Sequence, residues 1–313
     1  MRCVLGIDTS CYTTSVALFS EDGRLISDSR RLLEVKSGGR GLAQSEMVYQ
    51  HTRHFPDVLV KAITEAVSEI KITRIGVTTM PRPVADSFMP AFLVGDSFAK
   101  VLSVTHQAKC CPLSHQENHI LAGLWSAGGP KTTRFLAVHV SGGTTEVAEV
   151  TYNQPNMTVN LIGGSSDIAA GQFVDRIGVA LGLAFPAGPK LELLAKAAQN
   201  APTLLPVAAR QLSISFAGPE SHARRLMDKG ESPAAIAAGV QLCVAKTLAK
   251  LISAAMDRTG LTDILLVGGV GSNLFIRDFL IKKLAIVGGS LYFPEPQFSS
   301  DNAVGAAWFA LNN

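Results

Sequence analysis

Two stretches far apart in the chain lie over one another without a gap. LGIDTSCYTTSVALF (Leu5 to Phe19) and LAVHVSGGTTEVAEV (Leu136 to Val150) carry Leu, Ser, Thr, Thr, Val and Ala at the same places. Each copy reads as an apolar strand, a tight turn of small hydroxyl residues or glycines, and a second alternating strand. The first copy continues through SEDGRLISDSRRL into a third strand, with Asp22-Gly23 as its turn. A chain that must close the same hairpin twice builds two similar lobes, and 313 residues suffice to give each a core.

Helical stretches follow each hairpin set, Ser45 to Val67 after the first and Ile168 to Leu183 after the second. A β-rich sheet followed by helices, twice over, is the outline of the duplicated two-lobe fold of actin, the sugar kinases and the heat-shock ATPases. That fold is α/β with a central cleft, where two glycine-rich turns face each other and hold phosphate. The expected N-terminal lobe is 1-130, with 297-313 returning to it, and the C-terminal lobe is 131-296. Fold alone does not give function.

Apolar residues make up 47% and charged residues 17%, below the roughly 25% charged of ordinary globular chains, so disorder is excluded. A net charge of +3 permits contact with nucleic acid without requiring it. The apolar run before Asp8 is too short for a secretory signal, and no stretch gives about 18 uninterrupted apolar residues, so the expectation is a cytoplasmic protein without a membrane partner. Cys3, Cys11, Cys110, Cys111 and Cys243 form no CxxC pair and are expected to be free thiols.

SGGTT alone is an ordinary hairpin turn. Its repeat and a third cluster, ILLVGGVGSN (Ile264 to Asn273), make a set. There a buried strand runs into Gly268, Gly269 and Gly271, and Ser272 or Asn273 caps the helix LFIRDFLIKKL. Bare backbone N–H groups and a helix N-terminus suit an anionic or nucleotide ligand. In GQFVDRIGVALG, Gly171, Asp175, Gly178 and Gly182 share one helical face. Either that face packs closely against another element, with Asp175 solvated at its edge, or a ligand lies on it. FPAGP ends the helix in a rigid turn whose Gly188 can approach a ligand closely.

SHQENHI places His115 and His119 four apart, about 40° from one another on a helix and able to reach one metal. The zinc-protease motif needs glutamate directly after the first histidine; here the glutamate is Glu117, on the far side of the helix. Asp301, in SSDNAVGAAWFA, is the candidate third ligand. Two neutral imidazoles and one carboxylate with open positions suit zinc or iron(II) acting as a Lewis acid.

Taken together, GIDTSC, HQENH, VSGG, DIAAGQFVDR with LGLAFPAGP, SISFAG, LLVGGVGSN and SDNA resemble, in order and spacing over nearly the whole chain, the TsaD family of threonylcarbamoyladenosine synthases, formerly called O-sialoglycoprotein endopeptidases. The resemblance implies transfer of a threonylcarbamoyl group from threonylcarbamoyl-AMP to the exocyclic amine of the adenosine beside the anticodon of certain tRNAs, releasing AMP. It implies one divalent metal ion, iron(II) or zinc, held by His115, His119 and Asp301. His139, Val140, Ser141, Gly142 and Gly143 would line the phosphate and acyl region, while Asp175, Gly188, Glu192 and Asn273 would contact substrate. It also implies TsaB-like and TsaE-like partner subunits. No side-chain nucleophile is needed, because a mixed anhydride is already activated.

The chain departs from the family pattern at Tyr12 and Thr13 for acidic residues, Thr144 for histidine, Gln172 for glutamate, and PRPV (Pro81 to Val84) for PGPG. A nucleotide-binding partner subunit without catalysis is therefore the alternative. A kinase or ATPase of the same fold is a weaker one, with Asp8 as its only candidate carboxylate. Arg30, Arg31, Lys36 and Arg40, with Arg224, Arg225 and Lys229, are candidate tRNA contacts.

Overall fold

A computed structural model describes residues 1–35, 41–66, 69–198 and 201–313; Lys36, Arg40 and Val67 lie outside them. The strands are β1 (Arg2–Asp8), β2 (Thr13–Ser20), β3 (Leu25–Leu32), β4 (Lys71–Met80), β5 (Lys109–Ser114), β6 (Arg134–Val140), β7 (Thr145–Asn153), β8 (Asn156–Ser165), β9 (Ala208–Arg210), β10 (Ser213–Ser215), β11 (Asp263–Val267) and β12 (Ser290–Tyr292). The helices are α1 (Gln44–Thr64), α2 (Phe92–His106), α3 (His115–Ala127), α4 (Ala170–Ala180), α5 (Gly188–Ala195), α6 (Ala217–Asp228), α7 (Pro233–Thr259), α8 (Leu274–Ala285), α9 (Pro296–Ser299) and α10 (Val304–Leu311).

The repeat in the sequence is a repeat of topology. One sheet runs β3-β2-β1-β4-β5 and the other β12-β11-β6-β7-β8-β10-β9. In each, an antiparallel three-strand meander is extended by two parallel strands beside its first strand. This is the duplicated actin and sugar-kinase architecture. Crossover helices cover the sheets, as parallel pairing demands. Leu5, Ile7, Val16 and Leu18 meet Phe55 and Ile75 in one core. The other is built around α7, whose Val240, Val244, Leu248 and Ile252 are buried. By length and composition α7 is apolar enough to cross a membrane, but its apolar side chains form that core.

Two helices tie the sheets together. Ile120 on α3 joins Phe135, Leu265 and Val267 of the second sheet, whereas α10 lies on β1 and β4 of the first. The fit of α10 is backbone to backbone: a Cβ on Gly6 would lie 2.2 Å from the Ala303 carbonyl oxygen, and one on Gly76 would lie 1.8 Å from that of Ala306. The five cysteines are free thiols. The second expected helix is shorter than 168–183: α4 ends at Ala180, and Gly182, at φ +84°, belongs to the turn that stops it.

Candidate metal centre and cleft

The two hairpins deliver equivalent residues to one place. Asp8 at the end of β1 and His139 near the end of β6 coincide when the repeats are superposed, and both flank the imidazoles of α3. That helix starts with a capping box: Ser114 Oγ accepts from the Glu117 N–H at 3.2 Å, and Glu117 Oε2 accepts from the Ser114 N–H at 2.8 Å. Glu117 is thus a cap. His115 and His119 turn inward on consecutive turns, both buried.

The Nε2 atoms of His115 and His119 are 3.1 Å apart, and Asp301 Oδ1 lies 3.3 Å from His119 Nε2 and 3.7 Å from His115 Nε2. Ligands about 2.0–2.2 Å from one zinc-like ion, at angles between octahedral and tetrahedral, stand roughly 2.8–3.6 Å from each other; two of the three spacings fall in that range and the third lies about 0.1 Å beyond it. The triad fits one divalent cation. Two facing imidazole nitrogens share at most one proton between them in the neutral state, so a lone pair is left pointing inward for a metal.

Behind the triad, Asp8 Oδ2 lies 3.4 Å from His115 Nδ1 and orients that ring. Burial alone would raise the Asp8 carboxyl, but the His115 charge and hydrogen bonds from His115 and Thr78 outweigh it, and its pKa is lowered. Burial would likewise depress His115, yet Asp8 and Asp301 raise it. His119 is lowered by burial and by His115. Burial would also raise Asp301, but the His119 hydrogen bond and the neighbouring imidazoles hold it well below the usual carboxylate range. Asp8 is fully buried, accepting from the hydroxyls of Ser10 at 3.0 Å and Thr78 at 2.6 Å. It is walled off from any substrate, which removes the kinase reading that needed it as a catalytic carboxylate.

Asn118, which sequence reasoning did not single out, knits the centre together. Its Oδ1 accepts from the Ala306 N–H at 2.7 Å and its Nδ2 donates to the Asn302 carbonyl at 2.6 Å. Gly305 crosses α3 at this point, where a Cβ would lie 2.0 Å from the Asn118 carbonyl oxygen. Arg30, a candidate tRNA contact, is partly buried and its guanidinium is engaged within the protein. Paired with Asp28, it donates to the Gln297 carbonyl at 2.6 Å and to the Asp301 carbonyl at 3.4 Å. Arg31 pairs with Asp57, and Arg224 with Glu220.

A cavity of about 1090 Å³ opens between the lobes in front of the triad. His115 and Asp301 form part of its wall, with His139, Ser141, Gly142 and Gly143 on the second lobe and Asp175, Gly188, Glu192 and Asn273 further along. Val140 is not part of it; its side chain is buried in the second core. His139 stands with the triad, its ring centroid 4.7 Å from that of His119, and burial holds it well below the ordinary histidine value, so it is neutral. A Cβ on Gly142 or Gly143 would meet nothing within 4 Å. Nothing in the fold requires glycine there, whereas a ligand approaching the turn closely would.

Two helix N-termini beside the cavity are capped by the protein, the head of α8, expected to suit an anionic ligand, and the head of α5. Asp175 Oδ1 accepts from the Ala187 N–H at 2.7 Å at the head of α5; burial raises this carboxyl, and bonds from Ala187 and Gly188 only partly offset it. Asn273 Oδ1 accepts from Ile276 N–H, and Glu192 Oε1 from Leu274 N–H, both at 2.9 Å, at the head of α8. The glycine face of α4 has a packing cause: a Cβ on Gly171 would lie 2.4 Å from the Ser141 carbonyl oxygen, and one on Gly178 would lie 2.4 Å from the Ala187 Cβ. Gln172, in place of the family's glutamate, accepts from the Ala169 N–H at 3.2 Å.

The sequence profile of TsaD, "tRNA N6-adenosine threonylcarbamoyltransferase", matches residues 34–308. The protein of that name from Aromatoleum aromaticum is 31% identical over 308 residues, covering 96% of this chain and 87% of its own. One from Thermus thermophilus is 32% identical over 315 residues, covering 97% of this chain and 92% of its own. Among solved structures, the activator of 2-hydroxyisocaproyl-CoA dehydratase from Clostridium difficile superposes with a TM-score of 0.57 at 16% identity, covering 99% of this chain and 94% of that one. Full-length HypF gives 0.60 at 12%, covering 99% of this chain and 46% of that one. These two likenesses concern the fold alone.

Proposed function

The chain belongs to the TsaD family of tRNA N6-adenosine threonylcarbamoyltransferases, and on that premise we propose that it is an acyltransferase moving a threonylcarbamoyl group from threonylcarbamoyl-AMP to the exocyclic amine of the tRNA adenosine beside the anticodon. His115, His119 and Asp301 would hold one divalent ion, iron(II) or zinc, which would supply Lewis-acid polarisation of an acyl or phosphoryl oxygen. The observation carrying this reading is the convergence of those three side chains, two of which, His115 and Asp301, form part of the cleft wall. The Ser141–Gly143 turn, open on its cavity side, receives the phosphate and acyl region, with neutral His139 beside it. Asp175 and Glu192 fix the backbone at the heads of α5 and α8, so Gly188 and the Asn273 amide stay in place for the nucleotide. Orientation and water exclusion are what an activated anhydride requires, and no covalent step on the chain is invoked. The protein works in the cytoplasm with TsaB-like and TsaE-like subunits.

Incubation with threonylcarbamoyl-AMP and unmodified tRNA, followed by nucleoside analysis, tests this. Modified adenosine is expected, and chelator should abolish it. No product with the partner subunits present would favour the non-catalytic subunit. Asp301→Ala and His119→Ala should each lose the metal; full occupancy in either folded variant would refute the ligand set.

A further inference from the structure

The cleft contains a charged pair that the family pattern does not account for. Arg82 lies in the segment that replaces PGPG, and that segment is docked on the head of α3. The Pro81 carbonyl accepts from the Gln116 N–H at 3.1 Å, and the Arg82 N–H donates to Ser87 Oγ at 3.0 Å. The Arg82 backbone is therefore fixed beside the helix turn that carries His115. Across the cleft stands Glu146 on β7, opposite His139 in the ladder. Its Oε1 accepts from Arg82 Nη2 and its Oε2 from Gln116 Nε2, the latter at 3.2 Å.

The two members of the pair differ in exposure. The Glu146 side chain is 11% exposed with both oxygens engaged, whereas that of Arg82 is 46% exposed. One of the guanidinium's nitrogens binds Glu146 among the described residues, which leaves further N–H donors on a half-exposed side chain that lines the cavity with Glu146. An ion pair with one half-exposed member adds little stability. A buried carboxylate beside a site for an anionic substrate would repel that substrate unless a cation covered it. Held as it is, the arginine presents an oriented fork matched to a planar anion.

Resting on the acyl-transfer reading above, we propose that Arg82 reads the carboxylate of the donor's threonyl group, with Glu146 and Gln116 as its positioning residues. The donor carries two anionic groups, carboxylate and phosphate. The open glycine turn lies on the second lobe, while Arg82 comes from the first, beside the triad where the acyl group reacts. The phosphate is the competing source of the same chemistry, and the test separates the two.

Wild type, Arg82→Met and Arg82→Lys are compared on threonylcarbamoyl-AMP and on an analogue whose carboxylate is replaced by methyl. Wild type should prefer the true donor by about 100-fold in kcat/KM, and Arg82→Met should lose about 30- to 100-fold on it, mainly through KM, while changing the analogue by less than about 3-fold. Arg82→Lys should recover part of the loss, because it keeps the charge without the fork. Equal losses on both donors would reduce Arg82 to a structural role, and an equal loss of AMP affinity would move the contact to the phosphate. Calorimetry with non-hydrolysable versions of both donors reads the same ratio without turnover. Absence of transfer in every protein would then strike the assigned reaction, whereas equal binding of the two donors to wild type would strike Arg82.

Discussion

Asn118 sits between His115 and His119 in the chain and is fully buried. Its amide joins α3 to the turn before α10 and to the first turn of that helix, so its loss leaves the Ala306 N–H and the Asn302 carbonyl without that partner. Asn118→Ala should destabilise by about 2–4 kcal/mol, read as a shift in denaturant midpoint at unchanged slope. The histidine pair was legible because its spacing puts both rings within reach of one metal, although an HxxxH alone is as readily a surface or capping pair. Asn118 was not, because its partners lie at the other end of the chain. His51, buried on α1, exchanges a 2.8 Å hydrogen bond with Thr14 Oγ1. Burial pulls it down to about 4 from its ordinary 6.5, the nearby Asp8 charge offsetting this only in part. The unfolded chain therefore binds the proton more strongly than the folded one. Stability from this group is full above about pH 6.5 and falls by about 3 kcal/mol as pH drops toward about 4, levelling below it. His51→Gln should flatten that limb of a stability-versus-pH curve.

At the level of elements, the hairpins and their turns were readable from period and glycine placement, and both sheets contain them. The helix heads were not. GGVGSN signals a cap at Ser272 or Asn273, and the structure makes it Asn273, but that Glu192 also closes the head of α8 follows from α5 lying beside it. The glycine stripe on α4 was equally ambiguous between packing and ligand, since both need a missing Cβ, and the neighbours Ser141 and Ala187 resolve it for Gly171 and Gly178. The C-terminal helix gives the sharpest test. Gly76→Ala would drive a Cβ into the backbone of α10, and a helix cannot yield as a flexible side chain would. A loss of at least about 3 kcal/mol is expected, together with weaker metal binding because Asp301 precedes that helix. Retention of both stability and metal affinity would mean that α10 docks differently.

Across the whole molecule, the segment that carries Asp301 is strapped to both lobes. Arg30 on β3 holds the Gln297 and Asp301 carbonyls, while Arg277 on α8 donates to the Pro294 carbonyl at 2.9 Å and the Gly271 carbonyl at 2.5 Å. A charge that looked available for nucleic acid is engaged in bonds within the protein, and charge counting could not reveal this. Arg30→Met should leave the fold intact and weaken metal affinity about tenfold, measured by competition with a chromophoric chelator, since one charge-assisted bond to the ligand's loop is worth about 1.5 kcal/mol. Unchanged affinity would show that Asp301 is held without the strut. The sequence by itself determined the duplication, the strand and turn chemistry and the two imidazoles, because each is written in residue type at short spacing. The sequence also offered Asp301 as their partner, but only the tertiary structure brought it to them and decided which arginine lines the cleft and which helix heads are closed, because those depend on contacts between segments that sequence distance does not order.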